Sequence, residues 1–142
     1  MKILVLIPAR LESTRLPKKP LININGKSMI ETVYNQIKKC KNDLDIMIAT
    51  DSKEIYDHTT LFNAKTIMTN KNHISGTDRC HEVVSSLNID YDLIINVQAD
   101  EPLINPKQID KIIDSFKVCP DDIISLAKEI TSEKGIHNPN TV

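Results

Sequence analysis

Residues 2–21 read "KILVLIPARLESTRLPKKPL", and their pattern predicts the start of a sheet with helices on both faces. It opens with a short apolar run, residues 2–7, of the kind found in parallel strands that are buried on both faces. A basic loop bounded by prolines follows directly, with Arg10, Arg15 and Lys19 but without any glycine. Because ligands gather at the carboxyl ends of strands in open α/β sheets, this loop is a candidate binding segment.

The same strand pattern recurs along the chain, alternating with stretches of helical spacing. Apolar runs that predict further strands are residues 44–50, 64–69, 92–98 and 122–130. Apolar residues at helical spacing predict helices over residues 29–40, 53–62, 77–87 and 106–117, and Asn25-Gly26 predicts a turn. Strand alternating with helix predicts an α/β sandwich around a mostly parallel sheet, and residues 1–142 are short enough for one domain.

Composition excludes several classes of protein. The 18 basic and 19 acidic side chains give a net charge of −1, which argues against a nucleic-acid or membrane partner. Cys40, Cys80 and Cys119 are widely spaced and odd in number, which indicates free thiols in a reducing compartment. No apolar run approaches the ~18 residues of a membrane span. The composition therefore predicts a soluble, cytoplasmic protein.

Arginine is scarce, which gives weight to the few positions where it occurs. The chain has 15 lysines but only three arginines, Arg10, Arg15 and Arg79. A biased codon pool explains most of the lysines, whereas the planar, two-pronged guanidinium has a geometry that lysine cannot reproduce. A solvated basic loop remains the alternative for Arg10 and Arg15 until other residues are considered.

Two polar clusters allow both a structural and a functional interpretation. In "HISGTDR", residues 73–79, Ser75 or Thr77 can cap a helix, whereas Gly76 would let a ligand approach the backbone and Arg79 would present a fork donor. In "TDS", residues 50–52, the aspartate Asp51 can contact a ligand or cap the next helix.

The cluster "QADEP", residues 98–102, follows another predicted strand and adds acidic chemistry. It is either a solvated loop or a place where Asp100 binds Mg²⁺ and Gln98 contacts a ribose or base. Together with the basic loop it favours a nucleoside triphosphate as ligand. The P-loop and dinucleotide glycine motifs are absent from the sequence. The histidines His58, His73, His81 and His137 lack metal-ligand spacing, and His58 and His81 are expected on helix surfaces.

The motifs "IPARLESTRLPKKPL", "ATDS", "HISGTDR", "NVQADEP" and "NPNTV" resemble, in order and spacing, those of 3-deoxy-manno-octulosonate (KDO) cytidylyltransferases. The resemblance runs from Ile3 to Val142 and corresponds to the amino-terminal portion of that family. It implies a Rossmann-like nucleotidyltransferase fold, a three-layer sandwich. It also implies transfer of CMP from CTP to KDO with release of pyrophosphate, using Mg²⁺, for lipopolysaccharide biosynthesis.

The resemblance also assigns roles to individual residues. It implies catalytic roles for Arg10, Arg15 and Lys19, which would meet the triphosphate. It implies nucleotide contacts for Ala9, Arg10, Arg15, Lys19, Ser75, Gly76, Arg79 and Gln98, with Ser75 and Gly76 approaching the cytosine through the backbone. It implies that Asp100 is a metal ligand.

The sequence departs from the family pattern at two glycines and in length. Lys18 and Ala99 stand where the family usually has glycine. The family continues for about as many residues again, supplying much of the sugar site, a second metal-binding aspartate and the homodimer interface. The sheet is therefore expected to end with an unpaired edge. We expect little or no cytidylyl transfer by residues 1–142 alone, and normal pyrophosphate release with CTP, Mg²⁺ and KDO would contradict this.

Two alternatives remain open on the sequence alone. The first is a cytidylyltransferase for a related sugar acid, such as 8-amino-KDO or a nonulosonic acid. The second is a stand-alone CTP-binding module or inactive paralogue with an interaction role, in line with the two replaced glycines.

Overall fold

A computed structural model describes residues 1–11, 16–121, 123–127 and 129. Its elements, in chain order, are β1 (Ile3–Ala9), β2 (Asn23–Ile24), β3 (Lys27–Ser28), α1 (Met29–Ile37), β4 (Asp45–Thr50), α2 (Lys53–Thr60), β5 (Lys65–Met68), α3 (Gly76–Ser86), β6 (Leu93–Asn96) and α4 (Pro106–Val118). A 3₁₀ turn spans Lys19–Leu21. The alternation of strand and helix predicted from residues 2–118 is confirmed.

The main sheet has the order β5-β4-β1-β6, and all its neighbouring strands are parallel. The chain builds the sheet from β1 through β4 to β5 in one direction and then crosses back to place β6 on the other side of β1. The crevice between β1 and β6 is therefore the point where the strand order reverses, which is where α/β sheets of this kind bind ligands.

The central strand β1 is buried on both faces, which explains its continuous apolar sequence. Ile3, Val5 and Ile7 face a core shared with α1, α2 and α4. Leu4 and Leu6 face a second core built with β4 and α3. Each helical layer covers one face of the sheet, so the predicted three-layer sandwich is confirmed.

Pro8 lies in β1 at the position where the pairing with β6 stops. The N–H of Val97 donates to the carbonyl of Leu6 at 2.9 Å, and the β1–β6 ladder itself ends at Leu6 and Asn96. Since alternate residues of a parallel strand face the same neighbour, Pro8 also faces β6, where its missing N–H leaves no bond unmade. Pro8 thus ends the ladder and opens a crevice between the two strands.

The helices begin at side-chain caps. Ser28 caps α1 and Ser52 caps α2, each accepting a hydrogen bond from a backbone N–H of the first turn. Asn105 caps α4, whose first residue is Pro106. Such capping residues can be recognised from the sequence alone. Each predicted helix forms within a few residues of its expected bounds.

The strand predicted over residues 122–130 is wrong for the residues that the structure describes there. Residues 123–127 and 129 form no strand, and Ile123 is 88% exposed. An apolar run becomes a strand only when another backbone pairs with it, and this segment has no such partner among the described residues. In that part of the chain β6 is an edge strand with Ile94 41% exposed, as the sequence predicts.

Among the described residues, no helix has both the length and the apolar character that crossing a membrane requires.

Candidate functional site

A cavity of about 850 Å³ lies at the carboxyl edge of the sheet, where β1 and β6 diverge. The end of β1 forms its floor, the turn after residue 16 forms one wall, and the start of α3 with the loop after β6 forms the other. The lining residues include Pro8, Ala9, Arg10, Lys18, Lys19, His73, Ser75, Gly76, Arg79, Gln98, Ala99 and Asp100. The cavity therefore gathers every site residue predicted from the sequence except Arg15, which lies outside the described residues.

Arg10 differs from the other basic residues of the cavity because its guanidinium has no partner among the residues that the structure describes. It follows β1 directly and is exposed, and within the described part of the chain no carboxylate or other acceptor binds it. Ala9, beside it, is 3% exposed and anchors the end of β1 in the core. A guanidinium held over a cavity on a buried strand, with its donors free, is suited to bind a ligand's phosphate groups.

Lys18 adopts a left-handed backbone, with φ at 56°. Its N–H donates to the carbonyl of Leu11 at 3.3 Å, and its ammonium contacts both carboxylate oxygens of Glu54, at 2.7 and 2.9 Å. A positive φ accounts for the family's preference for glycine here, because a Cβ makes this conformation costly. The side chain itself points to α2 and its ion pair is exposed, so the pair stabilises the fold little.

Lys19 and Asp100 form an ion pair between opposite sides of the cavity. The ammonium nitrogen of Lys19 lies 2.6 Å from Oδ2 of Asp100, and the side chains are 35% and 49% exposed. Both residues were predicted to bind a ligand, Lys19 the triphosphate and Asp100 a metal ion. Each side chain neutralises the charge of the other.

The start of α3 offers backbone donors to the cavity. Ser75 caps the helix: its hydroxyl accepts the N–H of Asp78 at 3.1 Å and donates to the carboxylate of Asp78 at 2.7 Å. These hydrogen bonds hold the pKa of Asp78 below its usual value. The hydroxyl of Ser75 is thereby occupied, whereas the N–H groups of Gly76 and Thr77 have no partner among the described residues. A helix start with free N–H groups favours an anion.

Gly76 also has a packing role that the sequence did not indicate. A Cβ built on Gly76 would lie 3.1 Å from Cγ of Pro8, closer than ordinary van der Waals contact. Glycine therefore lets the start of α3 pack directly on the end of β1. Close approach to the backbone, which we expected from a ligand, is made here by Pro8.

Arg79 is buried and fully engaged within the protein. Its side chain is 3% exposed, and Nη2 donates to Oδ2 of Asp51 at 2.7 Å. Nη1 donates to the hydroxyl of Thr69 and to the carbonyl of Asn70, the latter at 3.5 Å. Asp51 neither caps α2, which Ser52 does, nor points freely into the cavity. Removing one partner of such a buried pair costs about 3–5 kcal/mol of stability.

Gln98 and Ala99 complete the side of the cavity near β6. The amide nitrogen of Gln98 donates to Oδ1 of Asn96 at 2.9 Å, which orients the side chain along the exposed face of the strand. Ala99 is buried and is not among the residues with positive φ, so the change from the family's glycine imposes no backbone strain.

His73 is a cavity residue that the sequence reasoning missed. Its Nε2 contacts the carboxylate of Glu82, one helical turn beyond Arg79. Glu82 also accepts the N–H of Asn70 at 2.9 Å, and the bond from His73, followed by that from Asn70, holds the pKa of Glu82 below its usual value. The sequence signal for His73 is its position two residues before the helix cap, since its spacing from the other histidines is not that of metal ligands.

The other histidines and the buried cysteines among the described residues carry no site, and His137 lies outside the described residues. His58 is half-buried on α2, where it hydrogen-bonds to Ser28 at 2.7 Å, and His81 is exposed on α3 as expected. Burial raises the pKa of the Cys40 and Cys80 thiols to about 11, so both are protonated at neutral pH. In the described part of the chain no three His, Cys, Asp or Glu side chains cluster as a metal site would require.

Comparison with known proteins identifies the family of this chain. The family model described as cytidylyltransferase matches residues 4–142. The chain belongs to the cytidylyltransferase family.

Two curated cytidylyltransferases and one solved structure show how far the similarity extends. The 3-deoxy-manno-octulosonate cytidylyltransferase of Cytophaga hutchinsonii is 44% identical over 142 residues, 99% of this chain and 56% of its own. That of Vibrio campbellii is 45% identical over 143 residues, 100% of this chain and 56% of its own. The structure of CMP:2-keto-3-deoxy-manno-octonic acid synthetase complexed with CTP is 38% identical, with a TM-score of 0.80. It matches 84% of this chain and 49% of its own.

The chain thus spans about half the length of the curated cytidylyltransferases it matches. The resemblance stated from the motifs is confirmed, and so is the nucleotidyltransferase fold.

The left-handed backbone at Lys18 can be tested with two substitutions that both remove the ion pair to Glu54. We expect Lys18→Val to be about 1–2 kcal/mol less stable than Lys18→Gly, because only glycine adopts positive φ without strain. Urea unfolding of the two variants measures this difference directly. Equal stability of the valine and glycine variants would show that the loop does not impose positive φ at this position.

Proposed function

We propose that residues 1–142 form the nucleotide-binding part of an enzyme that transfers CMP from CTP to KDO and releases pyrophosphate. The observation that carries the proposal is that, among the described residues, the guanidinium of Arg10 is unpaired while the other basic residues lining the cavity pair with acceptors. A free cation in such a place lacks its counter-ion, and a triphosphate would supply it. The relatives' names and the solved complex with CTP support this choice of nucleotide and sugar acid.

The cavity suggests a division of roles among its residues. Arg10 and Lys19 would bind the triphosphate, and Arg15 remains a predicted third cation. Ser75 and Gly76 would present the backbone at the start of α3, and Ala9 and Gln98 would line the nucleoside. Attack of a sugar hydroxyl on the α-phosphorus requires alignment and neutralisation of charge more than a dedicated nucleophile, and this set of donors supplies both.

A divalent metal ion, for which we propose Mg²⁺, fits the chemistry of Asp100. Its carboxylate already binds a cationic group, the ammonium of Lys19, and is about half exposed, so it is accessible to a hydrated ion. Mg²⁺ is typically held by one or two carboxylates together with substrate phosphates. Such an ion would neutralise charge that develops on the phosphate oxygens.

The setting of the reaction follows from the same proposal. We place the enzyme in the cytoplasm, as a homodimer in its full-length form, in lipopolysaccharide synthesis. The three cysteines are free thiols, which supports a reducing compartment.

Calorimetry with CTP and ATP tests the nucleotide site. We expect selective binding of CTP, and a loss of at least about tenfold in affinity for Arg10→Ala, since the unpaired guanidinium is the principal free cation of the described cavity. Lys111→Met, which removes an exposed positive charge on α4, is the matched control and should change the affinity less than about twofold.

Two results would contradict this proposal. Equal affinity of the wild-type chain and Arg10→Ala for CTP would remove Arg10 from the site. Absence of any nucleotide binding would favour the alternative of a scaffold with an interaction role.

The ion pair between Lys19 and Asp100 makes a second prediction whose sign depends on metal. Without metal, Asp100→Asn should bind CTP more tightly than wild type, because it frees the ammonium of Lys19 and removes a negative charge beside the phosphates. With Mg²⁺, wild type should gain affinity for CTP while Asp100→Asn gains little. Titrations of CTP with and without Mg²⁺ measure both effects.

Asp90→Asn is the control for this experiment, since Asp90 is exposed and precedes β6 at the opposite edge of the sheet. An equal gain from Mg²⁺ in wild type and Asp100→Asn would exclude Asp100 as the metal ligand.

A further inference from the structure

Arg79 links the first turn of α3 to two segments that leave the sheet at its carboxyl edge. Its guanidinium donates to Asp51, directly after β4, and to Thr69 and Asn70, directly after β5. Arg79 itself lies in the first turn of α3, whose start lines the cavity. One buried side chain therefore ties the ends of two strands to the helix that presents free N–H groups to the cavity.

The same helix holds the intervening loop a second time. Glu82, three residues after Arg79 and so on the same side of α3, accepts the N–H of Asn70 at 2.9 Å and contacts His73. The segment from Asn70 to His73 is thereby attached to α3 at both ends, and it leads directly into Ser75, the cap of the helix. The position of the cavity wall depends on these attachments.

The charge of Arg79 is already neutralised inside the protein. Oδ2 of Asp51 lies 2.7 Å from Nη2 of Arg79, the Asp51 side chain is only 17% exposed, and Arg79 is its only hydrogen-bond or ion-pair partner among the described residues. If Arg79 turned towards a phosphate, the carboxylate of Asp51 would remain half-buried without its partner, which is unfavourable. Arg10, by contrast, can bind an anion without breaking any bond of the described protein.

The geometry also explains why this position is an arginine. Nη2 reaches Asp51 on one side while Nη1 reaches Thr69 and Asn70 on the other. A guanidinium has donors that point in fixed and different directions, whereas a lysine ammonium is a single point charge. In a chain with 15 lysines, only an arginine can bridge the two strand ends in this way.

We propose that Arg79, held by Asp51, is a positioning residue for the nucleotide: it fixes the start of α3 and contributes no direct contact to the phosphates. This inference rests on the proposed function, since it assigns a role within the same CTP site. It replaces the direct nucleotide contact that the family resemblance implies for Arg79.

The isosteric substitution Asp51→Asn separates the two roles by the sign of its effect on CTP affinity. If Arg79 positions the wall, loss of the charged partner loosens it, and we expect the Kd for CTP to rise about tenfold. If Arg79 is a phosphate ligand, Asp51→Asn releases it from a competing carboxylate and lowers the Kd. A lower Kd would therefore overturn the proposal.

Arg79→Lys is a second variant: it keeps the positive charge but loses the guanidinium donors that point in two directions. We expect it to raise the Kd for CTP about tenfold while the dependence of Kd on salt concentration stays that of wild type. A phosphate ligand behaves otherwise, because removing a direct ionic contact reduces the salt dependence, as we expect for Arg10→Ala. A changed salt dependence in Arg79→Lys would overturn the positioning role.

Thermal unfolding of each variant distinguishes positioning from stability alone, with Kd measured well below Tm. A pair that only stabilises the fold would lower Tm and leave the Kd of the folded protein unchanged, which would overturn the proposal. His81→Gln, exposed on the same helix, and Asp90→Asn are the controls and should keep both values. If wild type itself does not bind CTP, the proposed function falls, and with it the site that Arg79 would position.

Discussion

The burial of β1 on both faces is the constraint from which the rest of the structure follows. Leu4, Val5, Leu6 and Ile7 are fully buried, and each contributes about 1.5–3 kcal/mol as an upper estimate of hydrophobic stabilisation. A strand with two apolar faces must be covered from both sides, which requires α3 on one side and α1, α2 and α4 on the other. Once these layers are in place, the residues after Ile7 emerge at the crevice between β1 and β6.

Among the described residues that line that crevice, every charged side chain but one belongs to an ion pair. Lys18 pairs with Glu54, Lys19 with Asp100, His73 with Glu82 and Arg79 with Asp51. The pairs differ in exposure, and exposure decides what a pair can do. The exposed pairs of Lys18 and Lys19 exchange partners at small cost, whereas the buried pair of Arg79 holds its geometry. Arg10 is the exception in the described cavity and carries the free charge.

Features set by neighbours in the sequence could be predicted, and features set by distant residues could not. The buried strands, the helices and the cap at Ser75 depend on period and on residues three or four apart. The pairs of Arg79 with Asp51 and of Lys19 with Asp100 join residues 28 and 81 positions apart, and no local pattern encodes them. The strand prediction for residues 122–130 was wrong for the same reason: a strand forms only when a distant backbone pairs with it. The site residues predicted from the sequence line one cavity wherever the structure describes them, but the internal partners of Arg79 and Gly76 could not be predicted.

The contact between Gly76 and Pro8 has a consequence for how the cavity can change shape. With only 3.1 Å between the place of a Cβ and the ring of Pro8, the start of α3 rests on the central strand and has no room to tilt inward. The opposite wall, which carries Lys18 and Lys19, is attached by exposed ion pairs to α2 and to the loop after β6. The start of α3 is therefore held by packing, whereas the side chains of Lys18 and Lys19 are held by exposed ion pairs that water can replace at small cost.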